Sequence, residues 1–191
     1  MNRIPHDFYP TPEALTKAML YYIPRDLGTV FDPCAGDGRM LESLPATNLL
    51  SSDINPHPNY EPRYKGDATD RELWEWLNLR HSIDWVITNP PFNRAAEIAE
   101  NSLIFSHKGV ALLLPITFLE PCKGRRRVLE DWRDHLKYVI PVNPRPRFRS
   151  DTKGTASTTV AWFIWDHHFS WDELNLACPF QFITDWPKMN G

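Results

Sequence analysis

One stretch, Val30-Phe31-Asp32-Pro33-Cys34-Ala35-Gly36-Asp37-Gly38-Arg39-Met40, predicts an apolar strand that runs through a tight glycine loop into a helix. Glycines in such a loop let the backbone approach a ligand closely, and we expect helix N-terminal amides to face an anionic group there. The dinucleotide fingerprint GxGxxG is incomplete, because Leu41 stands three residues after Gly38. A plain strand-to-helix turn has the same pattern, so the loop alone defines no function.

Short apolar segments rich in β-forming residues recur on both sides of this stretch, with helix-like segments between them. This alternation is typical of α/β proteins with a parallel sheet. We predict seven strands in one sheet: Thr29–Asp32, Leu49–Asp53, Tyr64–Gly66, Trp85–Thr88, Val110–Pro115, Lys137–Val142 and Thr158–Trp165.

The predicted helices alternate with these strands, and the first has Thr11 as a natural N-cap with Pro12 at its first position. Between the sixth and seventh strands there is no helical pattern, and residues 143–155 predict a hairpin loop. We therefore expect the last strand to be antiparallel to the others. The helices are predicted over Pro12–Tyr22, Arg39–Leu44, Asp70–Asn78, Ala95–Ser106 and Arg125–Asp134.

Length and composition favour one domain. The 191 residues, 42% of them hydrophobic, are enough for one core and too few for two ordinary domains. We expect a single domain over 1–191, divided into an N-terminal segment and helix (1–26), a sheet core (27–166) and a C-terminal tail (167–191).

The net charge of −3 gives the chain no global basic field for nucleic acid, so any such surface must be local. The three cysteines, Cys34, Cys122 and Cys178, have no CxxC spacing, which argues against a zinc site or a disulfide framework. The histidines have no spacing typical of a metal site, so no metal is expected. With no leader and no long apolar run, we expect a cytoplasmic protein without a membrane partner.

Acidic residues follow the next two strands at their carboxyl ends, where open α/β sheets bind ligands. Asp53, followed by Ile54, is placed to accept the ribose hydroxyls of an adenosine. Asp67, followed by Ala68, is placed to reach an adenine edge. Each is weak evidence alone, since Asp53 could be a solvated loop carboxylate and Asp67 an ordinary helix cap; the ordered set of loops carries the interpretation.

The fourth strand ends in Asn89-Pro90-Pro91-Phe92. Two prolines at a strand end fix the backbone so that its carbonyls point outward and can accept hydrogen bonds. If the Asn89 side-chain oxygen and the Pro90 carbonyl each accept one N–H of an exocyclic amine, the lone pair of that amine is aimed at an electrophile. Phe92 would stack on a base, although an isolated phenylalanine more often packs in a core.

This motif resembles the Asn-Pro-Pro-Phe motif of amino-methyltransferases. Together with the glycine loop, Asp53 and Asp67 in the same order, the chain resembles the adenine-N6 DNA methyltransferase family over most of its length, with a class I Rossmann-like fold. The upstream Phe8–Pro12 resembles the segment that closes over the methionine end of the cofactor in that family. The resemblance implies S-adenosylmethionine as cofactor, held by Tyr9, Thr11, Asp32, Cys34, Ala35, Gly36, Gly38, Asp53, Ile54, Asp67, Ala68 and Asn89.

Residues 122–153 carry ten lysines and arginines against four carboxylates. An arginine run is often a solvated helix face, but an arginine-aromatic alternation is typical of phosphate contacts around a stacked base. In the resembling family a hairpin loop here helps to hold the flipped base, a role that the resemblance gives to Phe148. We expect nucleic-acid contacts, DNA first and RNA second, at Arg125, Arg126, Arg127, Arg145, Arg147, Phe148 and Arg149.

Little sequence follows the last strand, so we expect no separate target-recognition region, as in compact enzymes of phages and mobile elements. Specificity would then be short or relaxed, or shared with a second subunit. The alternatives are an RNA amino-methyltransferase acting on adenine N6 or guanine N2, a protein glutamine methyltransferase, and a non-catalytic nucleic-acid-binding module. Cytosine N4 offers a similar amine to adenine N6.

Overall fold

The sheet of the computed structural model has seven strands in the order β3-β2-β1-β4-β5-β7-β6. The structure describes residues 10–120, 122, 124–146 and 158–180. The strands, each within two residues of its predicted ends, are β1 (Thr29–Asp32), β2 (Asn48–Asp53), β3 (Tyr64–Lys65), β4 (Trp85–Thr88), β5 (Gly109–Pro115), β6 (Leu136–Pro141) and β7 (Val160–Asp166).

The helices are shorter than predicted at several ends, because terminal turns tighten into 3-10 geometry. Such turns follow α1 at Leu20–Tyr22 and α5 at Arg133–His135. No helix in the described ranges has the length and apolar character needed to cross a bilayer. The α-helices are α1 (Glu13–Met19), α2 (Arg39–Glu42), α3 (Arg71–Asn78), α4 (Ala95–Phe105) and α5 (Arg126–Asp131).

The last strand is antiparallel, as predicted. β7 pairs antiparallel with β5 from Gly109↔Asp166 to Pro115↔Val160, and antiparallel with β6 on its other side. The first four strands and β5 pair in parallel. The α/β class with one antiparallel strand in a mostly parallel sheet is therefore confirmed.

The core lies on both faces of the sheet. One cluster contains Phe31, Trp74 and Phe163, and the other contains Trp85 and Trp162. Neighbouring residues of a strand point to opposite faces, so β4, β5 and β7 need apolar residues along almost their whole length. This two-sided packing holds the carboxyl ends of the parallel strands at fixed positions along one edge.

One expectation about a helix cap is wrong. Pro12, and not Thr11, is the N-cap residue of α1, and no side chain caps the helix. The Thr11 hydroxyl instead accepts a hydrogen bond of 3.0 Å from Nδ2 of Asn89, 78 residues along the chain. The capping propensity of threonine was thus overridden by a tertiary contact.

At the amino ends of β1 and β4, away from the carboxyl ends, the Asp84 carboxylate accepts a hydrogen bond of 2.9 Å from the Thr29 amide and forms an ion pair with Lys108. Gly28, with φ of 62°, lies directly beneath this carboxylate, and a Cβ atom at Gly28 would overlap it.

We expect Gly28→Ala to destabilise the fold by about 1–3 kcal/mol, because a left-handed backbone and a close carboxylate both disfavour a side chain. Thermal or urea unfolding measures this. Gly124→Ala is the matched control, since a Cβ at Gly124 meets nothing within 4 Å; equal stability of the two variants would contradict the prediction.

Candidate active site

A cleft of about 570 Å³ opens along the carboxyl ends of the parallel strands. Its volume lies in the range of small-molecule and cofactor sites. The cleft brings together residues from five separate parts of the chain that were predicted to form one site. The predicted residues that line it are Thr11, Asp32, Cys34, Ala35, Gly36, Asp53, Ile54, Asp67, Ala68, Asn89 and Pro91.

Other predicted residues lie elsewhere. The residues that line the cleft do not include Gly38, Pro90 or Phe92. Gly38, with φ of 79°, lies against the ring of Tyr60, which a Cβ at this position would overlap. Tyr9 falls outside the described residues, as do Arg147, Phe148 and Arg149.

The glycine loop is held by hydrogen bonds within the protein. The Cys34 amide donates to Asp32 at 3.0 Å, the Gly36 amide to Asp53 at 2.9 Å, and the Gly38 amide to the Ala35 carbonyl at 2.8 Å. The α2 helix that follows has only four residues. The amides of Cys34, Gly36 and Gly38 in the loop thus bond to acceptors of the protein itself.

Asp53, at the end of β2, is fixed by two backbone amides. Its Oδ2 accepts from Gly36 at 2.9 Å and its Oδ1 from Asn55 at 2.8 Å. Each carboxylate oxygen can accept two hydrogen bonds, so both retain capacity for a ligand hydroxyl. The carboxylate is thus oriented before any ligand arrives.

Asp67 is oriented by Thr69, whose backbone amide and hydroxyl both donate to Asp67 Oδ1, at 2.9 and 2.7 Å. Partial burial acts to raise the pKa of Asp67, but the two hydrogen bonds from Thr69 and the charge of Arg94 outweigh it and lower the pKa below its ordinary value. At neutral pH the side chain is an ionised group that only accepts hydrogen bonds.

Asp32 differs from the other cleft carboxylates because it is only 1% exposed. Burial raises its pKa to about 7, against the opposing effect of the hydrogen bond from the Cys34 amide. Burial also raises the pKa of the Cys34 thiol well above its usual range. The protonated thiol is therefore the favoured form of Cys34 at neutral pH.

The Asn-Pro-Pro-Phe segment begins where β4 ends, and Asn89 reaches the cleft with its side chain fixed. Because Nδ2 donates to Thr11, the amide oxygen Oδ1 is turned to the other side of the planar group. Pro90 is buried, and Phe92 keeps 36% of its surface exposed. Phe92 is therefore not packed wholly in the core, which was the alternative interpretation of this residue.

Several cleft residues were missed from the sequence. Asn93 and Arg94 directly follow the Asn-Pro-Pro-Phe motif, and Thr69 lies two residues after Asp67. The Asp-x-Thr spacing is a turn signal that could have identified Thr69. Nothing local distinguished Arg94, because its role depends on a residue 25 positions away, Thr69, whose hydroxyl accepts from its guanidinium at 2.8 Å.

The predicted arginine run makes intramolecular contacts. Arg125 donates to the carbonyls of Thr117 and Glu120, Arg126 pairs with Glu130 at 2.6 Å, and Arg127 pairs with Glu100 at 3.0 Å. Arg145 is exposed. Carboxylates on α4 and α5 therefore balance part of the positive charge of residues 125–127. This arrangement is typical of a solvated helix face.

Several solved structures with a similar fold are methyltransferases. One is the methyltransferase subunit of a type I restriction-modification system from Streptococcus thermophilus, 14% identical over 83% of this chain and 44% of that chain, with a TM-score of 0.60. Another is a dimethyladenosine transferase from Plasmodium falciparum, 14% identical over 83% and 62%, with a TM-score of 0.54. A third is M. capricolum TrmK in complex with S-adenosylhomocysteine, 8% identical over 82% and 69%, with a TM-score of 0.52.

These likenesses establish that the chain has the Rossmann-like fold of class I methyltransferases. No family model matches the sequence, and no curated protein matches it either. The chain spans less than half the length of the type I subunits that it resembles.

The raised pKa of Asp32 predicts a specific pH dependence of stability. Between pH 4 and 7 the folded protein holds a proton on Asp32 that the unfolded chain has lost, so this residue makes stability fall as the pH rises through that window. Asp32→Asn, which keeps an acceptor for the Cys34 amide, should remove this contribution and be more stable than wild type at pH 8, by as much as a few kcal/mol.

Denaturant unfolding of the ligand-free proteins at pH 5 and pH 8 measures the effect. Asp131→Asn, at an exposed carboxylate on α5, is the control and should leave the difference between the two pH values unchanged. A pH dependence that is identical in Asp32→Asn and wild type would contradict the assignment.

Proposed function

We propose that the chain is an S-adenosylmethionine-dependent methyltransferase that acts on the exocyclic amine of a nucleic-acid base, adenine N6 of DNA foremost. The observation that carries the proposal is the fixed orientation of Asn89. Its amide nitrogen donates to the Thr11 hydroxyl at 3.0 Å, which orients the side chain at the end of β4, where it lines the cleft beside the carboxylates.

The charges of the cleft fit this cofactor. Four aspartates line the cleft, namely Asp32, Asp37, Asp53 and Asp67, and Asp37 forms an ion pair with Arg39. A cleft rich in carboxylates favours a cationic ligand and repels the diphosphate of a dinucleotide. The loop amides that could have offset this repulsion already have acceptors in the protein.

Individual residues have distinct roles in the proposed complex. Asp53 accepts the ribose hydroxyls, because its oxygens are held in place by Gly36 and Asn55. Asp67 accepts the adenine amino group, and Asp32 with the glycine loop holds the methionine end. When bound, the cofactor supplies an electrophilic methyl group on a positively charged sulfur.

The residues that follow β4 activate the amine. Asn89 Oδ1 and the Pro90 carbonyl each accept one N–H, which draws the nitrogen away from conjugation with the ring and directs its lone pair toward the methyl group. The bound cofactor would supply the methyl group with cleavage of its sulfur–carbon bond, and the methylated amine would release its surplus proton to water. Phe92, exposed beside these acceptors, stacks on the base.

The choice of DNA is supported by the type I restriction-modification subunits among the structural neighbours. The same fold also occurs in a protein from Pyrococcus horikoshii described as an RNA methyltransferase, so RNA is the second candidate. A further structural neighbour belongs to a type I restriction-modification system whose complex assembly has been described, and target recognition shared with a second subunit is part of the proposal.

The proposal is tested by transfer of a labelled methyl group to duplex DNA, single-stranded DNA and RNA, followed by digestion and mass spectrometry of the nucleosides. We expect label in N6-methyladenine of DNA and a loss of roughly 10²–10³ in kcat for Asn89→Ala, since one acceptor of a developing charge is removed. Asn78→Ala, at an exposed position at the end of α3, is the matched control.

Label confined to RNA would move the assignment to an RNA amino-methyltransferase. Binding of S-adenosylhomocysteine without transfer to any of the three nucleic acids would contradict the proposed substrate. Absence of thermal stabilisation by saturating S-adenosylhomocysteine would contradict the cofactor itself.

Thr11 provides a second, independent prediction. Thr11→Val removes the acceptor for Asn89 Nδ2, so we expect kcat to fall by roughly tenfold. Thr11→Ser, which keeps the hydroxyl, should retain most of the activity. Steady-state kinetics with both variants measure this; equal activity of the valine and serine variants would show that the Thr11–Asn89 hydrogen bond does not orient the acceptor.

A further inference from the structure

Four side chains form a continuous chain of hydrogen bonds between the loop after β3 and the start of α4. Glu97 pairs with Arg94 at 2.9 Å, Arg94 donates to the Thr69 hydroxyl at 2.8 Å, and that hydroxyl donates to Asp67 Oδ1 at 2.7 Å. Arg94, Thr69 and Asp67 all line the cleft.

The direction of these bonds is set by chemistry. A guanidinium can only donate, so Thr69 Oγ1 accepts from Arg94 and its single hydrogen must be given to another acceptor, which is Asp67. Without Arg94, the same hydroxyl could rotate and donate elsewhere. Arg94 therefore holds the threonine hydroxyl as a donor to the carboxylate.

The backbone of the loop is held separately. The Ala68 carbonyl accepts from Trp74 Nε1 at 2.9 Å and from Asn101 Nδ2 at 3.3 Å. Removing the Arg94 guanidinium leaves these two bonds in place. The change should therefore act on the orientation of the Asp67 side chain and not on the path of the loop.

We infer that Arg94 is a positioning residue that, through Thr69, holds the Asp67 carboxylate as a reader of an amino group and so makes the cleft prefer an adenosyl ligand over an inosyl one. The inference rests on the proposed function, which supplies the adenosyl ligand. An inosyl ligand carries an oxygen where adenine carries its amine, and that acceptor faces an ionised carboxylate that cannot donate.

Arg94 also connects this preference to the catalytic segment. Its backbone amide donates to the Pro91 carbonyl at 2.9 Å, five residues after Asn89. The loop that reads the base of the cofactor and the loop that holds the amine acceptor are thus joined through one residue, Arg94, by its side chain on one side and its backbone amide on the other.

Calorimetric titration of the full chain with S-adenosylhomocysteine and with S-inosylhomocysteine tests the inference without any methyl transfer. Wild type should prefer the adenosyl ligand by about tenfold or more, the effect of one hydrogen bond to a charged group. In Arg94→Ala the affinity for S-adenosylhomocysteine should fall by about tenfold and that for S-inosylhomocysteine should change little, so the preference is lost.

Two further comparisons separate positioning from a general structural effect. Thr69→Val should lose the preference and Thr69→Ser should keep it, which maintains the test if Arg94→Ala does not fold. Arg71→Ala is the matched control, because Arg71 pairs with Glu75 on α3 and does not line the cleft.

An equal loss of affinity for both ligands in Arg94→Ala or Thr69→Val would overturn the inference, because it would indicate a general disturbance of the cleft and not a loss of adenine recognition. An unchanged preference would overturn it as well. If the wild-type protein binds neither ligand, the proposed function itself is contradicted. If it binds with a preference that the Arg94 and Thr69 variants do not change, only the inference about Arg94 is contradicted.

Discussion

The hydrogen bond from the Gly36 amide to the Asp53 carboxylate is the interaction on which the rest of the site depends. It joins the loop after β1 to the end of β2, and a second bond from the Asn55 amide fixes the other oxygen. The parallel pairing of β1 with β2 makes this possible, because it brings both carboxyl ends to one edge of the sheet. Asp53 therefore fixes the glycine loop after β1 and also forms part of the wall of the cleft.

The same bonds determine the electrostatic character of the cleft. Glycine loops often offer their amides to phosphates, but here the amides of Cys34 and Gly36 bond to Asp32 and Asp53. The cleft therefore combines several carboxylates with one buried carboxyl, Asp32, whose pKa is raised to about 7 and which is partly neutral at that pH. This is a poor environment for a diphosphate and a favourable one for a cationic, nucleoside-sized ligand.

The arginine-rich segment has a different meaning in three dimensions from the one its charge suggests. Arg126 and Arg127 pair with Glu130 and Glu100, and Arg125 bonds to two backbone carbonyls next to it. Exposed pairs of this kind contribute little to stability, but they reduce the local positive potential. These pairs therefore leave less uncompensated positive charge on α5 than the sequence suggests.

The sequence by itself determined the positions of the strands along the chain, the antiparallel last strand and the residues that follow each strand. It could do so because the burial of both faces of a sheet requires long apolar runs, and because glycines and prolines interrupt them at fixed places. Only the tertiary structure decided the partners of those residues. Thr11 bonds to Asn89 and not to its own helix, and Arg94 bonds to Thr69 across the cleft, because both contacts join segments that are far apart in the chain and adjacent only after the sheet has formed.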